Sequence, residues 1–149
     1  MLTSISNLCI EFYENILPAQ SGYVVNKMIE ESGLDEPFDW LNTKYIVLGY
    51  KEGEPVAVVS YGISEIHHKV LPRFLHIIIS KKYQHCISGY KVLVESEQIL
   101  KKKGYKQLVA CFVPDLPGKE MKMKYARKFG YKQFCTVEDG TEWLYKDIH

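Results

Sequence analysis

The chain has 149 residues and a mass of 17.3 kDa, a length typical of one domain with a two-layer core, so we treat residues 1–149 as a single domain. Hydrophobic residues make up 46% and charged residues 25%, close to the average for soluble proteins, which argues against disorder, collagen-like repeats and a disulfide scaffold. The 19 Lys and Arg residues balance the 18 Asp and Glu residues, so the chain lacks the positive field of a dedicated nucleic-acid-binding protein.

The cysteines and the N-terminal segment exclude further classes of function. The four cysteines are Cys9, Cys86, Cys111 and Cys135, and they form neither a CxxC pair nor a zinc-finger pattern with histidine. The N-terminus has no basic segment followed by a long apolar one, and no apolar run approaches the ~18 residues that a membrane span needs. We therefore expect a cytoplasmic protein with reduced thiols, no metal site and no membrane partner.

The first forty residues are predicted to form two short helices. The first follows the capping residues Thr3 and Ser4 and stops at Pro18. Its apolar residues recur at steps of three and four: Ile5, Leu8, Phe12 and Ile16. The second covers Ser21 to Glu31 and ends near Gly33, because glycine readily adopts the left-handed conformation that terminates helices.

From Lys44 onward the pattern becomes that of strands. Tyr45–Tyr50 and Val56–Tyr61 flank a charged, glycine-containing turn and predict a β-hairpin. Phe74–Ser80 is apolar and rich in β-branched residues, which predicts a central strand. Ser88–Lys103 then has the apolar spacing of a helix, with lysines in its last turn that complement the helix dipole.

The C-terminal part of the chain completes a layered arrangement. We predict a buried strand at Leu108–Val113 and a helix at Lys119–Phe129. A hairpin follows, with strands Lys132–Val137 and Glu142–Ile148 joined by a turn that contains Asp-Gly. The fold class is therefore α/β, in the layered α+β sense, with helices flanking a sheet.

The junction between the third strand and the next helix, residues 79–89, is the informative part of the sequence. A strand that leads into a helix through a short loop presents free backbone N–H groups and the positive end of the helix dipole, which together can hold a pyrophosphate. This junction resembles the acyl-CoA site of the GNAT superfamily of N-acetyltransferases, in which a strand valine and a ring precede Gln/Arg-x-x-Gly-x-Gly/Ala. Ile79, Tyr83, Gln84 and Gly89 match that pattern in register, and Lys128–Tyr131 is similar to the family's Lys-Leu-Gly-Phe ending.

The resemblance implies a fold, an activity and a set of cofactor contacts. The fold would be a GNAT-like mixed, mostly antiparallel twisted sheet, and the activity the transfer of an acetyl group from acetyl-CoA to an amine by direct attack, with backbone amides near Ile79 polarising the thioester carbonyl. The acceptor would be a small-molecule or peptide amine bound by Ile5–Gly33 and Gly62–Leu71. The cofactor-binding residues would be Ile79, Ser80, Lys81, Gln84, His85, Cys86, Ile87, Ser88, Gly89 and Tyr90.

The catalytic residues are less well defined by the sequence. Ala126 takes the place of the family's general-acid tyrosine, and Tyr125 lies one residue earlier, about 100° away around a helix. Tyr125 is either the acid or a core aromatic, and we favour core packing. His76 is the histidine placed to act as a base; the alternative is a strand histidine hydrogen-bonded to neighbouring backbone.

Departures from the family pattern support a second hypothesis. Ile87 replaces the first glycine of the motif, where a bulky side chain could crowd the cofactor, and the asparagine that often follows the fifth strand is absent from residues 114–119. These departures fit a GNAT-fold protein with weakened or lost catalysis and a structural or binding role, as a homodimer or in an assembly. The adjacent His85 and Cys86 are interpreted as loop residues near the cofactor rather than as a nucleophilic pair.

Overall fold

A computed structural model describes residues 8–149, and within that range the chain forms seven strands and three α-helices. In chain order the elements are β1 (Leu8–Glu14), α1 (Ala19–Ser32), β2 (Tyr45–Lys51), β3 (Glu54–Ile66), β4 (Lys69–Ile79), α2 (Ile87–Lys102), β5 (Gln107–Phe112), α3 (Lys119–Lys128), β6 (Lys132–Thr136) and β7 (Glu142–Asp147). No helix of these described residues is both long enough and apolar enough to cross a lipid bilayer.

The strands form one open sheet in the order β1-β2-β3-β4-β5-β7-β6. Every neighbouring pair is antiparallel except β4 and β5, which run parallel. The predicted fold class, a mixed and mostly antiparallel sheet flanked by helices, is confirmed. The parallel pair is in register at a single position, Arg73 opposite Val109, so the sheet is nearly divided between β4 and β5.

Apolar cores lie on both faces of the sheet. Helix α2 covers one face, which we call the α2 face, and helix α1 covers the other, the α1 face. The α2 face buries Val92, Leu93 and Leu100 of the helix against Val47, Val59 and Tyr61 of the sheet. The α1 face buries Val25 and Met28 of the helix against Ile46, Leu48 and Val58. At the rim of the α2 face, Lys146 Nζ lies 2.9 Å from Glu97 Oε1 and joins β7 to α2.

Most of the predicted elements are confirmed, including the end of α1 at Gly33, whose φ of 69° is in the left-handed region. Cys9, Cys86, Cys111 and Cys135 are free in the structure. The first predicted helix is wrong, because Leu8–Glu14 is an edge strand paired with β2. Leu8, Ile10 and Phe12 alternate along this strand and pack against the core of the α2 face. Thr3, Ser4 and Ile5, assigned to that helix, lie outside the described residues.

The segment Gly62–Leu71, expected to be a loop that binds the acceptor, instead forms the end of a long hairpin. Strand β3 continues to Ile66 and β4 begins at Lys69, with paired register throughout. His67 and His68 make the turn with φ values of 49° and 66°, as in tight hairpin turns. The ring of His67 packs edge-on against Phe134. This segment therefore belongs to the sheet.

Candidate active site

A cavity of about 810 Å³ opens where β4 and β5 separate. Its walls come from residues 73–77 of β4, from residues 110–113 at the end of β5, and from the segment 34–41 between α1 and β2. Helix α3 closes one side with Tyr125 and Ala126. The near division of the sheet thus creates a recess that β4, β5, α3 and the segment 34–41 enclose together.

Backbone N–H groups of β4 face this gap. The Ser80 N–H donates to the Val56 carbonyl of β3 at 2.9 Å, which fixes the orientation of the backbone at the end of β4. Because successive N–H groups of a strand alternate in direction, those of Ile77 and Ile79 point away from β3. β5 pairs with β4 at Arg73 and not beside these residues, so it leaves their N–H groups available to a ligand in the gap.

The cavity is lined from both faces of the sheet. Leu93 and Phe129 belong to the core of the α2 face, whereas Phe38 packs with the core of the α1 face. The ring of Phe38 stacks on His76 with the centroids 4.8 Å apart. Two molecules that approach from opposite faces could therefore meet between β4 and β5.

His76 is buried on the α1 face and joins the segment 34–41 to β4. Its Nε2 accepts a hydrogen bond of 3.1 Å from the Asp39 N–H, so the neutral ring carries its proton on Nδ1, which lies 3.9 Å from Glu36 Oε1. Burial lowers the pKa of His76, and the nearby carboxylates of Glu36 and Asp39 only partly oppose this effect. The Nε2 lone pair, which a general base would use, therefore already accepts the hydrogen bond from the Asp39 N–H.

Tyr125 lines the cavity and does not pack in the core. Its side chain is 50% exposed, so the core-packing interpretation is wrong. The reason is that α3 buries a single residue, Met123, and leaves most of its surface accessible. Ala126, the position that matches the family's tyrosine, also lines the cavity. The two neighbouring positions therefore share one wall of the cavity.

The predicted cofactor-binding residues 79–90 lie together at the end of β4 and the start of α2, outside the cavity lining. They begin two residues beyond Ile77 and end one helical turn before Leu93, both of which line the cavity. Tyr90 bridges the two regions, because its ring lies 5.8 Å from that of Phe129 in the cavity wall. The segment thus adjoins the cavity on the α2 face.

Within this segment the side chains divide into exposed and buried sets. Lys81, Gln84, His85, Cys86, Ile87 and Tyr90 are exposed, whereas Ser88 and Gly89 are buried and Ile79 and Ser80 are partly buried. Gln84 Nε2 donates to the Ile79 carbonyl at 3.3 Å. Ile87 is 65% exposed at the first position of α2. The N-cap residue Cys86 makes no side-chain cap hydrogen bond, so within the described part of the chain the first-turn N–H groups of α2 are open to an anion.

Gly89 has a packing role that the motif match did not anticipate. A Cβ at this position would lie 2.7 Å from Ile79 Cδ1 and 3.1 Å from both Ile79 Cγ1 and Ile79 Cγ2. Glycine therefore lets α2 approach β4 closely.

Several cavity residues had not been singled out from the sequence. They are Glu36, Asp39, Trp40, Arg73 and Lys122. Lys122 Nζ lies 2.8 Å from Asp35 Oδ1 and 3.6 Å from Glu36 Oε1, which ties α3 to the segment after α1. Acidic and aromatic residues clustered between a helix and a strand, as in residues 35–40, were the available signal.

Comparison with known proteins identifies the fold. Neither a protein-family profile nor a curated protein sequence matches the chain. Among solved structures, one described as a GNAT-family acetyltransferase from Desulfovibrio desulfuricans has a TM-score of 0.68 at 15% identity and covers 95% of this chain and 100% of its own. One described as an N-acetyltransferase from Lactobacillus plantarum has a TM-score of 0.66 at 17% identity, covering 95% and 99%.

A third structure contains a ligand. The PaiA N-acetyltransferase from Thermoplasma acidophilum, in complex with coenzyme A, has a TM-score of 0.63 at 15% identity and covers 93% of this chain and 99% of its own. The resemblance found in the motifs at residues 79–89 and 128–131 thus extends to the arrangement of the whole sheet. The chain has the fold of the GNAT acetyltransferases.

Proposed function

We propose that the protein transfers an acetyl group from acetyl-CoA to an amine by direct attack. The observation that carries this proposal is the gap between β4 and β5, towards which the N–H groups of Ile77 and Ile79 point and which is lined from both faces of the sheet. Direct transfer requires that two substrates meet at one point, and this gap offers such a point. The coenzyme A bound to the relative from T. acidophilum supports the same choice of donor.

The residues present are compatible with acyl-CoA. The apolar wall formed by Leu93, Phe112 and Phe129 suits the alkyl part of the donor, and the gap leaves backbone donors for its amides. At the start of α2 the uncapped N–H groups and the exposed Lys81 would face the pyrophosphate. Ile87 is compatible with this placement because its side chain is largely in solvent.

The chain's own groups would have separate roles in the reaction. Acetyl-CoA supplies the activated acetyl group as a thioester. The N–H groups of Ile77 and Ile79 would stabilise the negative charge that develops on the carbonyl oxygen. The Tyr125 side chain, which lines the cavity, would donate its phenol proton to the departing sulfur. The Glu36 carboxylate, 28% exposed at the other face, would accept the proton of the ammonium acceptor directly or through water.

Calorimetric titration with acetyl-CoA tests the donor site. We expect micromolar binding, weakened at least about tenfold by Val113→Trp, which fills the end of β5 at the cavity. Val137→Trp is the matched control, because Val137 is 42% exposed, as Val113 is at 41%, and does not line the cavity. Absence of binding at millimolar acetyl-CoA, with the protein folded, would contradict the proposal.

Release of free thiol in the presence of amines tests the transfer itself. We expect acetyl-CoA-dependent turnover with at least one acceptor in a panel of amino acids, polyamines and peptides. Binding of acetyl-CoA without turnover on the whole panel would instead favour the alternative, a GNAT-fold protein that binds but does not catalyse.

A further inference from the structure

Arg73 places a charged side chain in the wall of the cavity. Its side chain lines the cavity, and its Nε is buried without a hydrogen-bond partner. Arg73 also forms no ion pair within 4.0 Å among the residues that the structure describes. A buried donor of a charged group without an acceptor costs free energy, which a ligand with an acceptor in the right place would recover.

The other charged groups nearby are already engaged. Lys122 pairs with Asp35 and Glu36, and both oxygens of the Asp39 carboxylate accept hydrogen bonds from Asn42. Burial raises the pKa of Asp39, but these hydrogen bonds and the charge of Arg73 outweigh it and keep the carboxylate ionised. The guanidinium is therefore near Asp39 without being neutralised by direct contact.

The strand register places Arg73 on the α1 face. Tyr61 and Phe74 are opposite each other and belong to the core of the α2 face, so the next residue of β4, Arg73, points the other way. A bulge beside Tyr61 leaves Leu75 without a partner in β3, and His76 therefore points to the same face as Arg73. Both side chains lie beneath the segment 34–41, opposite the face that holds the start of α2.

The chemistry of this face matches an amino acid. A guanidinium binds a carboxylate with two parallel hydrogen bonds, whereas the nearby carboxylates of Asp39 and Glu36 favour an ammonium group and disfavour a dianion such as phosphate. Phe38 and Trp40, whose rings lie 4.6 Å apart, add apolar walls. We propose that Arg73 binds the carboxylate of the acceptor, which is a free amino acid with an apolar side chain. The acetyl transfer to it rests on the proposed function, but its binding does not.

Thermal denaturation in the presence of amino acids tests this proposal without any turnover. The probes are leucine, methionine, phenylalanine and tryptophan, each compared with its amide, which keeps the amine and loses the negative charge. We expect at least one amino acid to raise the Tm of the wild-type protein. Its amide should need at least about a tenfold higher concentration to produce the same rise. Arg73→Gln should remove this difference, and Arg127→Gln, which changes an exposed arginine on α3, should preserve it.

Arg73→Lys provides a second variant if Arg73→Gln does not fold, and we expect it to weaken the binding of the same amino acid because the two-pronged contact is lost. Equal effects of acid and amide on the wild-type protein, no effect of any of the eight probes, or unchanged binding by the Arg73 variants would overturn the proposal. The acetyl-CoA titration is measured separately. A failure there would refute the donor site and leave the amino acid result to be judged by itself.

Discussion

The close approach of α2 to β4 at Gly89 leads to a quantitative prediction. In Gly89→Ala the new Cβ would lie 2.7 Å from Ile79 Cδ1 and 3.1 Å from Ile79 Cγ1 and Cγ2, so either the Ile79 side chain or the helix must shift. Overpacking of this kind costs about 1–3 kcal/mol, and the better helix propensity of alanine returns at most about 1 kcal/mol. We therefore expect Gly89→Ala to lower the free energy of unfolding by about 1–2 kcal/mol.

Truncation of the Ile79 side chain should make the effect of Gly89→Ala on the free energy of unfolding stabilising instead of destabilising. Ile79→Ala removes all three carbons that approach the Cβ position, at a cost of about 2 kcal/mol for a partly buried side chain. In that background Gly89→Ala no longer meets an obstacle, and we expect it to stabilise the protein by up to about 1 kcal/mol. The coupling energy between the two positions would then be about 1–3 kcal/mol.

Urea denaturation of the wild-type protein, the two single variants and the double variant measures this coupling. Gly22→Ala in α1 is the matched control, because the new Cβ would lie 3.7 Å from Leu17 Cδ2, an ordinary contact distance. We expect this substitution to stabilise the protein. If the two effects add within about 0.5 kcal/mol, Gly89 does not serve helix packing, and the reasoning is refuted.

Two further predictions concern the cavity. Tyr125→Phe should lower turnover by about 100-fold without changing the affinity for acetyl-CoA, since only the proton at Oη is lost; unchanged turnover would exclude Tyr125 as the acid. For His76, burial lowers the folded-state pKa below the ordinary 6.5, so its contribution to stability is complete above pH 6.5 and is lost as the pH falls through the folded-state pKa. In urea denaturation between pH 5 and 8, His76→Gln should therefore show a weaker loss of stability on acidification, and an identical pH dependence would argue against this assignment.

The sequence predicted an element correctly where its apolar residues fitted the periodicity of a helix or that of a strand, but not both. Strands such as 108–113 and helices such as 88–103 have apolar patterns that fit only one kind of element. The segment 8–14 is different, because Leu8 and Phe12 are consistent with a helix, whereas Leu8, Ile10 and Phe12 are equally consistent with a strand. The decision comes from pairing with β2, a contact between distant residues that local pattern does not contain.

The candidate site was predicted less completely, for a related reason. The junction 79–89 could be identified because its residues are consecutive. The cavity residues Asp39, Arg73 and Tyr125 come from three separate parts of the chain, and the bulge that places Arg73 and His76 on one face is not visible in the sequence. The one-residue offset from the family's tyrosine favours a core position for Tyr125, but its exposure depends on how α3 packs on the sheet, which the sequence does not contain.

The single register pair between β4 and β5 has a consequence for cooperativity. Strands β1 to β4 form one antiparallel set and β5, β7 and β6 another, and each set satisfies nearly all of its ladder hydrogen bonds internally. The described halves are therefore held together mainly by side-chain packing beneath α2, and the pairing of Arg73 with Val109 is the only ladder position that joins them. A ligand that accepts hydrogen bonds from both strands would supply the missing rungs of the sheet. Ligand binding in the cavity and the association of the two half-sheets are then thermodynamically linked, so that a bound ligand stabilises the association and the associated state binds the ligand more tightly.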